Sequence, residues 1–211
     1  MIQILRRLRK TQHSTCVHWN SLKTFLTFCE RRQHAFTGSV QPYELDFLKE
    51  LTVLANSMEG PIVEVGTLFG FTTQFIARWK DDTKSLITID DYSWNPVGMI
   101  PSAHRAFTQR NLFYLIEKCH TELFEGLSGA FYAGYQGPPP AMVFIDASHE
   151  YEHVLADIRW AQSQGVQIIS GHDYDTNWPS VCRAVDECFG GDFRVEGSLW
   201  AWIKKQPPCN H

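Results

Sequence analysis

Several features that mark specialised proteins are missing from this sequence of 211 residues. None of its six cysteines forms a Cys-x-x-Cys pair, so we expect free thiols in a cytoplasmic protein. No apolar stretch approaches the roughly 18 to 20 residues of a membrane span, and the basic segment 1–10 lacks the apolar core of a secretory signal. The net charge of -4 gives no basic footprint for nucleic acid. We therefore expect a small-molecule substrate without nucleic-acid or integral membrane association, and we leave a homodimer open.

The length and composition indicate one α/β domain with an appendage. Hydrophobic residues make up 44% and charged residues 20%, which is ordinary for a globular protein. Residues 1–41 are predicted to form a helical extension that caps a domain at 42–211. The boundary is indicated by the turn residues Thr37-Gly38-Ser39 and by Pro42, which suits the first turn of a helix.

Strand and helix patterns alternate beyond residue 42. Apolar runs bounded by turn residues predict strands at 61–65, 85–90, 113–117, 141–146 and 166–172. Helical spacing predicts helices at 43–58, 71–81, 102–111, 121–133, 150–163 and 178–189. The tail 193–204 predicts two closing strands in a hairpin. The predicted fold is a doubly wound, mostly parallel, Rossmann-like α/β sheet of seven strands with an antiparallel last strand.

The first predicted strand runs into a glycine-containing turn, Glu64-Val65-Gly66-Thr67-Leu68-Phe69-Gly70. In open α/β sheets, ligands bind beyond the carboxyl ends of the strands, where the first N–H groups of the next helix are unpaired. A tight strand-to-helix turn also needs glycine for structural reasons alone. The second strand, however, ends in Asp90-Asp91, about twenty residues later, where a carboxylate can accept both hydroxyl hydrogens of a ribose. Together the two features indicate a nucleotide site.

The spacing of the glycines separates two kinds of nucleotide. A dinucleotide fingerprint needs G-x-G-x-x-G with the pyrophosphate on the helix terminus, whereas this turn has Gly66-x-x-x-Gly70 and an acid, Glu64, inside the strand. That carboxylate would serve an anion badly. It would suit the ammonium and sulfonium groups of S-adenosylmethionine (SAM), so the turn favours SAM over NAD.

Over residues 42–205 these motifs resemble the class I SAM-dependent methyltransferases. The segment from Glu64 to Thr73 is similar to their first motif. The runs Ile145-Asp146-Ala147-Ser148-His149-Glu150-Tyr151-Glu152 and His172-Asp173-Tyr174 resemble a small-molecule O-methyltransferase branch of the macrocin and cephalosporin-tailoring type. The resemblance implies that Cys119 and His120, after the third strand, contact adenine. The other SAM-binding residues that it implies are Glu64, Gly66, Thr67, Gly70, Thr72, Asp90 and Asp91.

Polar residues also end the fourth and fifth predicted strands. Asp146 ends the fourth, His172 and Asp173 end the fifth, and His149 lies in the first turn of the next helix. We expect these side chains to converge, because the carboxyl ends of parallel strands meet at one edge. Methyl transfer from a sulfonium is an in-line displacement, in which the protein must hold the acceptor oxygen and remove its proton. These four residues are therefore the predicted catalytic residues.

Three interpretations of this cluster stay open. The resemblance implies a divalent cation, Mg²⁺ or another, on Asp146, His172 and Asp173, although family members commonly have two acids at the last pair. Magnesium prefers oxygen ligands, and a set that includes histidine suits manganese, iron or zinc as readily. The second interpretation is a metal-free site with His149 or His172 as the base. The third is a hydrogen-bonded cluster without a catalytic role.

One segment also matches a motif of another enzyme class. His149-Glu150-Tyr151-Glu152-His153 fits the H-E-x-x-H signature of zinc proteases, which lies within a long helix. Here the segment follows directly on a strand, and the continuation found in that class is missing, which argues against a zinc hydrolase. Elsewhere, we expect His104 to be a solvated helix position, and Trp94 and Trp178 either to line a pocket or to pack structurally.

The motifs together predict an enzyme, a SAM-dependent methyltransferase acting on a hydroxyl of a sugar or natural product. Two alternatives are a non-catalytic SAM-binding partner subunit and an NAD-linked oxidoreductase, and the missing third glycine argues against the second. The identity of the methyl acceptor has no motif in the sequence.

Overall fold

The computed structural model describes residues 40–41 and 43–205. The predicted helical cap at 1–41 therefore lies almost entirely outside the described residues. Within them, the elements in chain order are α1 (Leu45–Asn56), β1 (Ile62–Val65), α2 (Phe71–Trp79), β2 (Leu86–Asp90), α3 (Pro101–Asn111), α4 (Phe113–Lys118), β3 (Thr121–Glu125), α5 (Ser128–Gly134), β4 (Met142–Ile145), α6 (Tyr151–Ser163), β5 (Ile168–Gly171), α7 (Pro179–Phe189), β6 (Arg194–Glu196) and β7 (Leu199–Ile203). Each of these helices is too short or too polar to cross a membrane.

All seven strands form one sheet in the order β3-β2-β1-β4-β5-β7-β6. The pairs from β3 through to β5 are parallel, and β7 runs antiparallel to both β5 and β6. The predicted mostly parallel sheet with an antiparallel last strand is therefore confirmed. The strand order reverses between β1 and β4, and open α/β sheets bind their ligands at such a switch point.

The central strands bury both of their faces. Val63 and Val65 of β1 face a core formed with α5, α6 and α7, whereas Ile62 packs with Leu48 of α1 and Ile76 of α2. Successive strand residues point to opposite faces, so helices on both sides turn the central strands into continuous apolar runs. This packing leaves the ends of the strands as the place for polar chemistry.

The prediction is wrong at one crossover. Residues 113–117, predicted as the third strand, belong to α4, and the third strand is Thr121–Glu125, inside the segment predicted as a helix. A short apolar run does not distinguish strand from helix by itself. Phe113 and Tyr114 are 48% and 67% exposed, so this run lies on the surface. The sheet instead takes the next segment as its edge strand beside β2.

Candidate active site

The turn between β1 and α2, here called the glycine loop (Gly66–Gly70), lies beside the end of β4. A Cβ on Gly66 would lie 2.0 Å from the carbonyl oxygen of Asp146, and φ at Gly66 is +99°. Gly70 has φ +81° and is the N-cap of α2. Close backbone approach and left-handed φ values therefore require both glycines. They bring the unpaired N–H groups at the start of α2 to the switch point of the sheet.

Asp90 holds the glycine loop from the neighbouring strand. Its Oδ2 accepts hydrogen bonds from the N–H groups of Thr67 (3.0 Å) and Leu68 (2.7 Å), and its Oδ1 accepts one from the N–H of Tyr92 (2.7 Å). Burial raises the pKa of Asp90, and these N–H groups oppose the rise. Asp90 thus lies at the predicted edge with its oxygens engaged by the backbone, while Asp91 beside it is exposed. Their assignment to a ribose stays a prediction.

Helix α3 supplies a second brace for the loop. The carbonyl oxygen of Leu68 accepts hydrogen bonds from His104 Nε2 at 2.9 Å and from Thr108 Oγ1 at 2.5 Å. Both side chains are fully buried, so the expectation that His104 is solvated is wrong. Leu68 has φ +48°, a conformation that costs a non-glycine residue roughly 1 to 2 kcal/mol. The contacts from α3 offset that cost. In the sequence, the only sign of them is that His104 and Thr108 lie one helical turn apart.

Glu64 is fully buried inside the sheet, next to the loop. Thr73 Oγ1 donates a hydrogen bond of 2.5 Å to Glu64 Oε2, whereas Oε1 has no partner among the described residues. Burial, with a smaller effect from two neighbouring carboxylates, raises the pKa of Glu64 to about 8, against the effect of side-chain hydrogen bonding by Thr73 and Thr88. A buried oxygen without a donor carries a desolvation cost that a cationic group of a ligand would offset. Thr67 in the loop and Thr72 in the first turn of α2 are also buried.

The two residues predicted to contact adenine, Cys119 and His120, lie away from the glycine loop. The prediction that Cys119 and His120 follow the third strand is wrong, since they precede β3. The carbonyl of His120 accepts a hydrogen bond from the N–H of Leu86 at the start of β2, which places the pair at the amino edge of the sheet, opposite the glycine loop. Residues 126–128 follow β3 instead, and the N–H of Gly126 donates to the carbonyl of Asp90.

The predicted catalytic residues do come together. Asp146, His172 and Asp173 each place one potential ligand atom within 4.8 Å of the others. His149 joins them from the connection before α6, which begins only at Tyr151, so its predicted place inside the first helical turn is wrong. His149 Nε2 lies 2.7 Å from Asp173 Oδ2.

His172 is buried between two carboxylates. Its Nε2 lies 3.0 Å from Glu44 Oε2, and its Nδ1 lies 3.2 Å from Asp173 Oδ1. Burial alone would lower the pKa of His172, but the hydrogen bonds with Asp173 and Glu44 and the charge of Asp146 raise it to about 10. Ionised carboxylates only accept hydrogen bonds, so His172 donates with both nitrogens as an imidazolium. Sequence reasoning missed Glu44, because no spacing connects it with a residue 128 positions away.

The proton on His149 can be placed from its partner. Burial would raise the pKa of Asp173, but the hydrogen bonds from His149 and His172 lower it, so the carboxylate stays ionised. Nε2 of His149 therefore carries the shared hydrogen, which leaves Nδ1 as the ring nitrogen that can accept a proton. The ring stacks on Trp178, with centroids 3.7 Å apart and planes at 13°. Trp178 thus belongs to the site, whereas Trp94 is 68% exposed.

The H-E-x-x-H segment does not form a zinc-binding pair. His149 precedes α6 and contacts Asp173, while His153 lies within α6, where its Nδ1 is 2.8 Å from Ser148 Oγ. The two histidines have different partners and do not share a helical face. This geometry supports the argument against a zinc hydrolase.

The donor set fits a divalent cation only in part. The carboxylates of Asp146 and Asp173 are ligands that hard cations prefer. A nitrogen that donates its hydrogen has no lone pair for a metal, so His172 as arranged does not fit. The three residues therefore present two carboxylates and one imidazolium, and the imidazolium occupies the place of a third ligand.

Comparison with known proteins identifies the family and similar folds. Residues 63–174, slightly more than half of the chain, match a family model described as a methyltransferase domain. The fold is similar to the O-methyltransferase from Bacillus cereus in complex with SAH, with a TM-score of 0.61, 18% identity and coverage of 90% of this chain and 91% of that one. It is similar to TomG from Streptomyces achromogenes, an O-methyltransferase of tomaymycin synthesis in complex with SAM (0.61, 15%, 88% and 90%). It is also similar to CalS11, the TDP-rhamnose 3'-O-methyltransferase of calicheamicin biosynthesis (0.58, 16%, 90% and 93%). No curated protein sequence matches the chain.

Proposed function

Because the chain belongs to the methyltransferase-domain family, we propose that it transfers a methyl group from SAM to a hydroxyl of a small molecule. One observation carries the proposal: a proton-accepting histidine, His149, is held by Asp173 and Trp178 at the same sheet edge as the glycine loop. A cofactor at the loop and an acceptor beside His149 would therefore meet at the switch point of the sheet.

SAM would lie across the carboxyl ends of β1, β2 and β3. The unpartnered Glu64 oxygen supports the methionine end, whose ammonium it would neutralise. Asp90 would bind the ribose by exchanging loop N–H groups for hydroxyls, or the exposed Asp91 would bind it directly. We place the adenine at Gly126 and Leu127, since these residues follow β3 and Leu127 is 68% exposed. The residues proposed to hold the methionine part are Glu64, Gly66, Thr67, Gly70 and Thr72.

The reaction needs a base for one proton. As the acceptor oxygen attacks the methyl carbon in line, the O–C bond forms, the S–C bond breaks, and the hydroxyl proton passes to His149 Nδ1. The products are a methyl ether, S-adenosylhomocysteine (SAH) and a protonated His149, which then loses its proton to water. Asp173 stabilises the imidazolium through its hydrogen bond to Nε2. A positioned general base contributes roughly 10²- to 10⁴-fold to the rate.

A metal-assisted reaction is the second candidate, favoured by the convergence of Asp146, His172 and Asp173. A divalent cation bound there would lower the pKa of the acceptor hydroxyl. Asp146 and Asp173 would hold it, and His172 would join them only after losing a proton. Activity that is unchanged by EDTA supports the metal-free base, and activity that EDTA abolishes and Mg²⁺ or Mn²⁺ restores supports the metal.

Transfer of tritium from methyl-labelled SAM tests the proposal. We choose TDP-rhamnose and catechol as probes of the sugar and phenol classes of acceptor. His149→Gln should lower kcat roughly 10²-fold or more with little change in SAM affinity. His153→Gln is the matched control, because that histidine lies four residues away and pairs with Ser148 outside the cluster.

The outcomes separate the alternatives. Labelled ether from either probe, lost in His149→Gln alone, supports the enzyme. SAM binding without transfer to any hydroxylated compound would favour a non-catalytic partner subunit, and binding of NADH instead of SAM would favour an oxidoreductase. We also propose a cytoplasmic location, supported by Cys119, Cys182 and Cys188 being free thiols.

A further inference from the structure

We propose that Glu44, which precedes α1, is a positioning residue for the methyl-transfer site and acts on His149 through His172 and Asp173. The proposal rests on the proposed function, in which His149 is the base. It adds a residue far from the motifs of the site in the sequence, and it assigns to His172 the role of a link.

Glu44 is a fully buried carboxylate with every oxygen in use. Oε2 accepts hydrogen bonds from the N–H of Gln41 at 2.7 Å and from His172 Nε2 at 3.0 Å. Oε1 accepts bonds from the N–H and the hydroxyl of Ser198 at 2.6 and 3.1 Å. A Cβ on Gly197 would lie 2.2 Å from Oε1, so the turn between β6 and β7 needs glycine to admit this side chain. The carboxylate therefore has one position, fixed from three segments of the chain.

The fixed position of Glu44 in turn fixes the orientation of the His172 ring. Its two ring nitrogens face Glu44 and Asp173, and an imidazole ring that donates to acceptors on opposite sides has one orientation. The ring is only 5% exposed, so no water competes freely for either nitrogen. Without the carboxylate, only the Ser198 hydroxyl, 3.4 Å from Nε2, would remain as an acceptor there, and the ring would be oriented less firmly toward Asp173.

Asp173 joins His172 to His149. It has φ +63°, a left-handed value that is uncommon among non-glycine residues but that aspartate adopts more readily than most. Oδ1 is held by His172 and Oδ2 binds His149 at 2.7 Å. A shift of the carboxylate at Oδ1 thus moves the partner that selects the tautomer of His149. The line of contacts runs from a fully buried acid to a ring at the surface of the site.

A purely structural ion pair would have a different signature. Removing one partner of a buried pair destabilises a fold wherever the pair lies. A positioning residue must also change the base that it positions, even in folded protein that binds SAM normally. The test therefore measures changes at His149 in variants that remain folded and bind SAM normally.

The first measurement is a double-mutant cycle on kcat, with TDP-rhamnose and catechol as the acceptors. Glu44→Gln keeps the size of the side chain and should lower kcat about 10-fold or more, part of the contribution of a positioned base, while SAM affinity by calorimetry stays within about twofold. The control Glu50→Gln removes the ion pair between α1 and Arg194 of β6, and should leave kcat unchanged. In Glu44→Gln/Asp173→Asn, kcat should be no lower than in Asp173→Asn alone, because both changes act on one path. Losses that multiply, or an unchanged kcat in Glu44→Gln, would overturn the proposal.

The second measurement does not depend on turnover. Nitrogen NMR of the histidine rings should show hydrogen on both nitrogens of His172 and on Nε2 of His149 in the wild type. In folded Glu44→Gln the His149 signals should shift toward a mixture of tautomers. Unchanged His149 signals would overturn the proposal. If the wild type transfers no methyl group to any hydroxylated compound, the proposed function fails, and this spectrum still decides the role of Glu44.

Discussion

Replacing Glu64 by glutamine should remove the pH dependence of SAM binding. Glu64 is fully buried with one oxygen unpartnered, and burial raises its pKa to about 8. The carboxyl is therefore mostly protonated at pH 7 before the cofactor binds. A cofactor ammonium placed beside it favours the carboxylate, so SAM binding should release the proton.

The size of the effect follows from the pKa. Ionising a group with a pKa of about 8 costs roughly 1.4 kcal/mol at pH 7, and one pH unit corresponds to about tenfold in affinity. SAM affinity should therefore rise about tenfold per pH unit below pH 8 and stop rising near pH 8, where the α-ammonium of SAM begins to lose its own proton. At pH 7, binding should release about 0.9 proton. In Glu64→Gln the affinity should be low and nearly flat with pH, because the amide cannot ionise.

Calorimetric titration in two buffers of different ionisation enthalpy measures both quantities. The proton count comes from the difference in heat between the buffers, and the affinity comes from each curve. Equal affinity at pH 6 and pH 8, together with no buffer dependence of the heat, would refute the assignment of Glu64 to the cofactor. Glu64 would then be a buried structural acid.

The stability of the free protein gives an independent check of the raised pKa. A group whose folded-state pKa lies above its ordinary value contributes stability that is complete at pH values below the ordinary pKa and is lost as pH rises through the folded one. For Glu64 that window runs from about pH 4.5 to pH 8. The free energy of unfolding should therefore fall across this window in the wild type, and the fall should be smaller in Glu64→Gln.

Three further substitutions test the contacts that hold the glycine loop and the stacking of Trp178 on His149. Asp90→Asn leaves at least one of the three backbone N–H groups on Asp90 without its acceptor, and it should lower both SAM affinity and the free energy of unfolding, the latter by about 1 to 3 kcal/mol in urea denaturation. Unchanged affinity would mean that Asp90 neither holds the loop nor binds ribose. His104→Ala removes a buried donor and leaves a cavity, so we expect a loss of about 2 to 4 kcal/mol, against less than about 0.5 for the exposed Arg110→Ala on the same helix. Trp178→Ala removes the ring that stacks on His149. It should raise the KM for the acceptor and lower kcat, while the dissociation constant for SAM stays constant. A change in SAM affinity alone would place Trp178 in the cofactor site.

The parts that could be predicted from the sequence are those with local causes. The glycine loop is visible because Gly66 and Gly70 meet backbone restrictions within a few residues of β1. The convergence of Asp146, His172 and Asp173 is predictable because parallel strands place their carboxyl ends at one edge.

The parts that were missed depend on long-range packing. The apolar run in α4 has the composition of a strand. The structure shows that Thr121–Glu125 is the edge strand instead, which only the pairing with β2 reveals. His104 looked like a solvated position because its partners are backbone carbonyls, which leave no side-chain signature. Glu44 contacts His172 only because the turn between β6 and β7 closes over both residues.

A crystal structure with SAH bound would test the central claim most directly, because the claim is that cofactor and base face each other. The account predicts SAH at the glycine loop with its adenine beside Gly126. Its sulfur should face His149 Nδ1 across a gap that admits one hydroxyl, with reacting atoms about 3 to 3.5 Å apart once the methyl and the acceptor are in place. SAH bound at another edge of the sheet, or with its sulfur turned away from His149, would contradict the account.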